Sequence, residues 1–270
     1  MPDATEFDRA TAVRATGDGV YEAAVDERWN VMRGPHGGYI AAMLLRALTD
    51  AVGDEARVPR SLTVYYPAAP KHGPVTIRCQ VERAGRSMTT VSARLEQDGK
   101  AAALAVAAFS AEWPRTVEFD DTQRPEVPEP EAIEPLDRGG RVPPFTRYFD
   151  FRPAVGERWF SGAERALSGG WMRLNDDHAL DGPLVAALAD AWPPAIFPVA
   201  TDFVAAPTIE LTVHFRAALP VAGDWVLGLF ESKVGRDGFF EEDGTLWTRS
   251  GDLIAQSRQL ALAIDMGAAS

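Results

Sequence analysis

A single acidic residue interrupts one of the most apolar stretches of the chain. In DGPLVAALADAW (181–192), Asp190 is the only charge after the opening Asp181. A helix that is apolar on nearly every side is typical of a protein interior. Burial and the negative end of the helix dipole would both raise the pKa of the Asp190 carboxyl, and such a group can orient a water molecule and accept its proton. The competing interpretation is that Asp190 caps the following turn, AWPPAIF.

A second apolar helix is predicted over GGYIAAMLLRALTDAV (37–52), with Arg46 as its one charge before Thr49. The first N–H groups of a helix lack acceptors within it and lie at the positive end of its dipole, so they suit a developing negative charge. Gly37 and Gly38 would let a ligand approach this backbone closely. His36 could donate as well, although it could instead cap the helix or pack against it.

Other catalytic patterns are missing from the sequence. It has no G-x-S-x-G nucleophile motif and no glycine fingerprint for a phosphate or a dinucleotide. The lone Cys79 cannot complete a zinc site, and the four histidines (36, 72, 178 and 214) never stand at metal-ligand spacing. These absences disfavour a serine nucleophile, a metal centre and a bound nucleotide cofactor.

The two apolar helices belong to a long-period repeat. LTVYYPAAP (62–70) is similar to LTVHFRAALP (211–220). The matching residues of the two segments and of the stretches that follow are separated by 149 or 150 positions. A period of this length indicates domain duplication. The matching landmarks are Leu62 and Leu211, Gly73 and Gly223, and Gly85-Arg86 and Gly235-Arg236.

Each repeat is predicted to contain a strand with a tryptophan, a long buried helix and then several antiparallel strands, with hairpin signals at DG and SGD. The tryptophan strands are YEAAVDERWNVM (21–32) and AERALSGGWMRL (163–174). Residues 114–144, rich in Pro and Glu, are predicted to form an extended linker. We therefore expect an N-terminal unit over 1–113 and a C-terminal unit over 145–270.

A central helix wrapped by an antiparallel sheet, present twice, is similar to the double hotdog arrangement of the α+β class. The closer resemblance is to the acyl-CoA thioesterase II family, the TesB-like enzymes. HGGYIAAM (36–43) matches the Gly-Gly helix start of that family. Asp190, Thr208 in PTIELTVHF and Gln259 in AQSRQLALAI match its Asp, Thr and Gln in order and in the kind of element.

The resemblance implies an acyl-CoA thioesterase, which converts acyl-CoA and water into a free acid and CoA. It implies that Asp190, Thr208 and Gln259 hold the attacking water. Gly37, Gly38 and His36 would then bind the thioester carbonyl at the start of the first helix. Arg33, Arg86 and Arg236, the basic residues nearest predicted turns, are weaker candidates for binding the nucleotide of CoA.

Two other functions stay open at this point. Glu210, Leu211 and Thr212 replace the Asp-His-Ser of the better-known members, so one alternative is a protein that binds acyl-CoA or a fatty acyl group without turnover. The other is an enoyl-CoA hydratase, because His178 and Asp181 weakly resemble the His and Asp pair of hotdog hydratases.

Composition narrows the partners and the location. A net charge of −12 disfavours nucleic acid as a partner, and no apolar run is long enough to span a membrane. One cysteine and no secretory signal favour the cytoplasm. Hotdog units often associate by their sheets, so we expect a homodimer.

Overall fold

The fold was analysed in a computed structural model that describes residues 4–114, 116–137, 142–221 and 223–266. Most of the described chain lies in strands, and two of its three α-helices are in the core. The first half contains α1 (Glu6–Ala10), β1 (Arg14–Gly17), β2 (Val20–Val25), α2 (Gly37–Val52), β3 (Val58–Tyr65), β4 (Gly73–Ala84), β5 (Met88–Gln97) and β6 (Lys100–Ser110). The second half contains β7 (Phe149–Gly156), β8 (Ala166–Leu174), α3 (Gly182–Leu188), β9 (Val204–Ala205), β10 (Thr208–Phe215), β11 (Val226–Ser232), β12 (Gly235–Arg236), β13 (Phe239–Thr248), β14 (Leu253–Leu262) and β15 (Ile264–Asp265).

One antiparallel sheet of 13 strands joins the two halves. Its order is β1-β2-β4-β5-β6-β3-β10-β14-β13-β11-β8-β7, with β12 paired to β13. The halves meet where β3 pairs with β10, and Leu62 lies opposite Val213 in that register. The repeat predicted from the sequence is therefore visible as two similar half-sheets that share a seam.

Helix α2 is the buried centre of the first half. Its residues from Gly38 through Leu48 are buried except Arg46, which reaches Asp8 and Thr11. An apolar helix of 16 residues gains most of its stability from such packing rather than from its propensity. The predicted bounds of this helix and the α+β class are confirmed.

Helix α3 is shorter than the sequence predicted. It has seven residues, and the chain then tightens into i to i+3 bonds, from Asp190 N to Ala187 O at 3.2 Å and from Ala191 N to Leu188 O at 3.3 Å. Pro193 explains the early end, since a proline ring clashes with the carbonyl four residues before it and restricts the preceding residue. The expectation of a long helix in each unit is thus wrong for the second.

The Trp29 segment also differs from its prediction. Strand β2 ends at Val25, and Trp29 lies in a short 3₁₀ helix, Glu27–Trp29, which Asp26 caps. Its indole stacks between Tyr39 and Tyr148. The matching Trp171 does lie in a strand, β8, as expected.

The hairpin signals are confirmed in the sheet. Asp98 and Gly99, with φ of 51° and 74°, form the two-residue turn between β5 and β6. Gly251, with φ of 102°, turns the chain between β13 and β14. These left-handed conformations favour glycine or Asp.

The described part of the predicted linker contains no strand and no α-helix, only the 3₁₀ turn Pro130–Ala132 and the start of another, Pro144–Tyr148. Residues 115 and 138–141 of the linker lie outside the described ranges. Within those ranges, no helix is long and apolar enough to cross a membrane.

Candidate active site

The carboxyl of Asp190 joins the two units. Asp190 follows the end of α3, and its Oδ2 accepts a hydrogen bond from Gly38 N at 2.7 Å. Its other neighbour on that oxygen is His36 Nε2, at 3.3 Å. Burial raises the pKa of Asp190, while His36, the Gly38 N–H and Thr208 oppose the rise. Asp190 therefore does not cap its own following turn, because its side chain is held by the start of α2.

His36 fixes the backbone of Asp190 as well. Its Nδ1 accepts from Tyr39 N at 3.1 Å as the N-cap of α2, so the proton of the neutral ring lies on Nε2. That Nε2 donates to the Asp190 carbonyl at 2.8 Å. The ring is buried and stacks on Phe145 with centroids 4.2 Å apart.

Thr208 and Gln259 reach the same place from two neighbouring strands. Thr208 is the first residue of β10. Its hydroxyl lies 2.8 Å from Gln259 Oε1 and 3.5 Å from Asp190 Oδ1. The shorter contact takes the single hydroxyl proton, because 3.5 Å is at the limit for a hydrogen bond. The structure thus brings the three predicted side chains together.

Glu242 is a fourth member that the sequence reasoning missed. Its Oε1 accepts from Gln259 Nε2 at 2.7 Å, and its Oε2 accepts from Ala195 N at 2.5 Å. Burial raises the pKa of Glu242 to about 7, and the charges of Asp190 and Asp243 add to the rise. A signal was available, since alternation along β13 places Glu242 on the inward face with Phe240 and Gly244.

The predicted donors at the start of α2 are arranged differently from the expectation. The Gly38 N–H and His36 Nε2 are used by Asp190 itself, so they position the carboxylate. Tyr66 donates to Gly37 O at 2.9 Å. Among the described residues, Gly37 N is the one backbone donor in the first turn of α2 that has no acceptor. A Cβ at Gly37 would lie 2.8 Å from Asp190 Oδ2, which explains why this position is glycine.

The three arginines predicted for CoA are all exposed. Arg33 precedes His36 in the loop that leads to α2. Arg236 lies in the β12–β13 hairpin, and the end of this hairpin bonds Ala263 beside β10. Arg86 is near the opposite end of α2, because its carbonyl accepts from Arg57 Nη2, five residues past that helix. Arg86 therefore lies at the other end of α2 from Arg33.

The His178 and Asp181 pair has structural contacts. Asp181 caps α3 by accepting from Leu184 N at 2.8 Å. His178 Nε2 lies 3.1 Å from Asp8 and 3.9 Å from Asp181, which ties α1 to the second unit. Phe7 packs edge-on against the His178 ring. This arrangement gives no support to a hydratase.

Among the described residues, the changed side chains after Thr208 form no hydrogen bond with the three polar side chains, although Leu211 lies opposite Gln259 in the strand register. Leu211 is buried in the core, while the Thr212 hydroxyl donates to Glu210 at 2.5 Å. Thr212 also meets Thr63 across the seam between β3 and β10. These replacements therefore leave the contacts among Asp190, Thr208 and Gln259 intact.

In the described part of the first unit, the positions that correspond to Gln259 and Thr208 carry no polar side chain. Gln259 lies opposite Leu211 in the second unit, and Ala107 lies opposite Leu62 in the first. The position that corresponds to Thr208 is Pro59. The duplicated fold thus holds one such site in the described chain.

Comparison with known families agrees with the duplication. A family model for an acyl-CoA thioesterase N-terminal domain matches residues 25–110, and one for an acyl-CoA thioesterase C-terminal domain matches residues 121–263. An uncharacterised protein of Mycobacterium tuberculosis is 26% identical over 271 residues, covering 90% of each chain.

Two solved structures share the fold over almost the whole chain. A conserved hot dog protein of unknown function from Alicyclobacillus acidocaldarius is 27% identical, with a TM-score of 0.88 and coverage of 97% of this chain and 98% of that one. A candidate thioesterase II from Thermobifida fusca is 25% identical, with a TM-score of 0.85 and coverage of 98% and 100%. With both halves matched by the two domains of one family, the chain belongs to the double hotdog acyl-CoA thioesterases and is a thioester hydrolase.

Proposed function

We propose that this chain hydrolyses acyl-CoA with a water molecule held by Asp190, Thr208 and Gln259. The observation that carries the proposal is the Thr208 hydroxyl, 2.8 Å from Gln259 Oε1 and 3.5 Å from Asp190 Oδ1. Because Thr208 gives its proton to Gln259, its lone pairs and Asp190 Oδ1 are left as acceptors for the two protons of one water.

The reaction then needs water and the thioester alone. Asp190 Oδ1 accepts a proton as the water oxygen bonds to the thioester carbonyl carbon, and the carbonyl oxygen becomes negative. Gly37 N and the positive end of α2 stabilise that oxygen. When the intermediate collapses, the C–S bond breaks, and the proton passes from Asp190 to the sulfur of CoA.

Burial makes Asp190 a better base, because its pKa is raised above 3.8. The proposed mechanism requires ionised Asp190, so activity falls as the pH is lowered through this raised pKa. Its second oxygen stays bonded to Gly38 N throughout, which keeps the reactive oxygen aimed at the substrate.

The test is thiol release from acyl-CoAs of several chain lengths. Asp190→Asn keeps the shape of the side chain but removes the base, so kcat/KM should fall by about 10²- to 10⁴-fold. Asp202→Asn, an exposed acid in the same connecting segment, is the matched control and should retain full activity. Full activity in Asp190→Asn would reject the site, and binding without release in the wild type would favour a non-catalytic acyl-CoA-binding protein.

We also propose that the chain forms a homodimer through the outer face of the first unit. Tyr65 and Leu104 pair across β3 and β6 on that face, and Val106 beside them is 52% exposed. In the second unit, the linker packs on Trp171 of β8 and Trp247 of β13. Light scattering should give a dimer mass for the wild type and a monomer mass for Val106→Glu; a monomeric wild type would contradict the proposal.

A further inference from the structure

We propose that Glu242 is a positioning residue that sets the direction of the hydrogen bonds from Gln259 through Thr208, and so keeps Asp190 Oδ1 free for water. This inference rests on the proposed function. Glu242 touches neither Asp190 nor Thr208 directly, and it acts through the amide of Gln259.

The geometry fixes which way the Gln259 amide faces. An ionised carboxylate only accepts hydrogen bonds, so Glu242 draws the NH₂ group of Gln259 toward itself, at 2.7 Å. The amide oxygen of Gln259 then faces Thr208, at 2.8 Å. The second oxygen of Glu242 is held by Ala195 N, so the carboxylate itself cannot turn away.

The opposite orientation would disable the base. With the Gln259 NH₂ group toward Thr208, the Thr208 oxygen would accept from the amide and its proton would turn to Asp190 Oδ1. That oxygen would then accept from Thr208, which makes it a weaker base and removes one of its two positions for accepting from water. Glu242 therefore decides between a productive and an unproductive arrangement of the same three side chains.

The duplication shows that the fold does not need a carboxyl here. In the second unit, Glu242 lies opposite Gln259 across β13 and β14. The corresponding pair of the first unit is Val91 and Ala107 across β5 and β6, and Val91 is fully buried. The acid is present only in the unit that contains the polar site. A buried carboxyl is costly to the fold, and none of the ion pairs of the described residues includes Glu242.

Protonation of Glu242 would reverse the chain of bonds. A neutral carboxyl can donate to the Gln259 oxygen, which lets the amide turn over. The groups that set this protonation are the charges of Asp190 and Asp243, which favour the neutral form, and the donors Ala195 N and Gln259, which oppose it. We expect the reversal near pH 7, where Glu242 titrates.

Glu242→Gln tests the inference by kinetics. Ala195 N requires the oxygen of the new amide, so its NH₂ group would face Gln259 and reverse that residue. We expect kcat for thiol release to fall about tenfold or more, with KM changed less than about threefold, because bound substrate is not contacted. Glu241→Gln, on the same strand, is the matched control and should keep the wild-type kcat.

A compensating pair separates orientation from mere structure. In Glu242→Gln with Gln259→Glu, the new carboxylate at 259 accepts from both neighbours, so the Thr208 proton again points away from Asp190. Recovery of a large part of kcat supports the inference. Wild-type kcat in the folded Glu242→Gln single variant, with an unchanged pH profile, would overturn it.

A second readout does not depend on turnover. The side-chain amide signals of ¹⁵N-labelled Gln259, identified by their loss in Gln259→Leu, should shift with an inflection near pH 7 in the wild type and not in Glu242→Gln. If the wild type releases no thiol, the proposed function fails. The amide titration would still test whether Glu242 orients the Gln259 amide. Absence of the inflection would then overturn the positioning role.

Discussion

Single hydrogen-bond donors decide what the Asp190 carboxylate can do. Its Oδ2 is held by Gly38 N, while Oδ1 faces a hydroxyl whose proton is used by Gln259. One oxygen of Asp190 is thus held by the backbone, and the other can accept a hydrogen bond from water. This division assigns one function to each oxygen and makes the orientation of the Gln259 amide as important as the acid itself.

Glu242 should also affect stability in a pH-dependent way. Its pKa is about 7 in the fold against 4.5 ordinarily, so the folded state binds a proton more tightly than the unfolded chain. The stabilisation from this proton is full below pH 4.5 and is lost as the pH rises through about 7. Glu242→Gln should therefore raise the melting temperature more at pH 8 than at pH 5, measured by differential scanning fluorimetry. An equal difference at both pH values would contradict the raised pKa.

Asp190 could be predicted from the sequence because it is the one charge in an apolar run. Glu242 could not be separated as easily, since EED (241–243) resembles a solvated surface stretch. Only its inward position in β13, set by the pairing with β14, distinguishes it from Glu241 and Asp243. The directions of the hydrogen bonds depend on contacts between distant segments, which residue order does not contain.

At the scale of elements, the approach of α2 to α3 positions the site. Ala187 in α3 lies against Gly38 in α2, so the start of one helix meets the end of the other. The positive end of α2 therefore faces the carboxylate that follows α3. The apolar run of α2 predicted the bounds of that helix correctly. The length of α3 was overestimated, because the residues up to Asp190 are typical of a helix, while Pro193 ends the helix at Leu188.

Gly38→Ala should disrupt this contact. The added Cβ would lie 2.6 Å from Ala187 O and 3.0 Å from Ala187 Cα, so backbone must move. We expect a loss of about 1–3 kcal/mol in the free energy of unfolding, measured by urea denaturation. Gly235→Ala is the control, since its Cβ meets only Phe239 O at 3.9 Å. Equal stability of the two variants would mean that the helices are not in the close contact described.

At the scale of the whole molecule, the candidate active site is built from both units. Gly38 and His36 come from the first, whereas Asp190, Thr208 and Gln259 come from the second. The sheet holds the units in register through β3 and β10. The repeat itself was predictable from the sequence, while the proposed unit bounds at 113 and 145 stay a prediction.

The linker stabilises the molecule instead of only connecting its halves. Val127 and Ile133 pack on a cluster of Trp171, Trp225 and Trp247, and Pro128 O accepts from the Trp171 indole at 2.9 Å. Arg249 adds ion pairs to Glu129 and Glu131 at 2.9 and 2.8 Å. The prediction of an extended linker did not include this packing.

Shortening one apolar side chain of the linker tests this packing. Ile133→Ala should lower the free energy of unfolding by about 1–2 kcal/mol, because part of a half-buried side chain is lost. Val117→Ala, in the same linker and 76% exposed, should have no measurable effect. Chemical denaturation compares the two, and identical midpoints would show that the linker does not stabilise the fold.

The most direct test of the central claim is kcat/KM for acyl-CoA hydrolysis in Asp190→Asn, Gln259→Leu and the double variant. Residues that hold one water act as a unit, so their effects on kcat/KM should not multiply. The kcat/KM of the double variant should lie within about threefold of that of the less active single variant. Losses that multiply would show that the two side chains act independently, and hydrolysis unchanged in Asp190→Asn would show that the water is activated elsewhere.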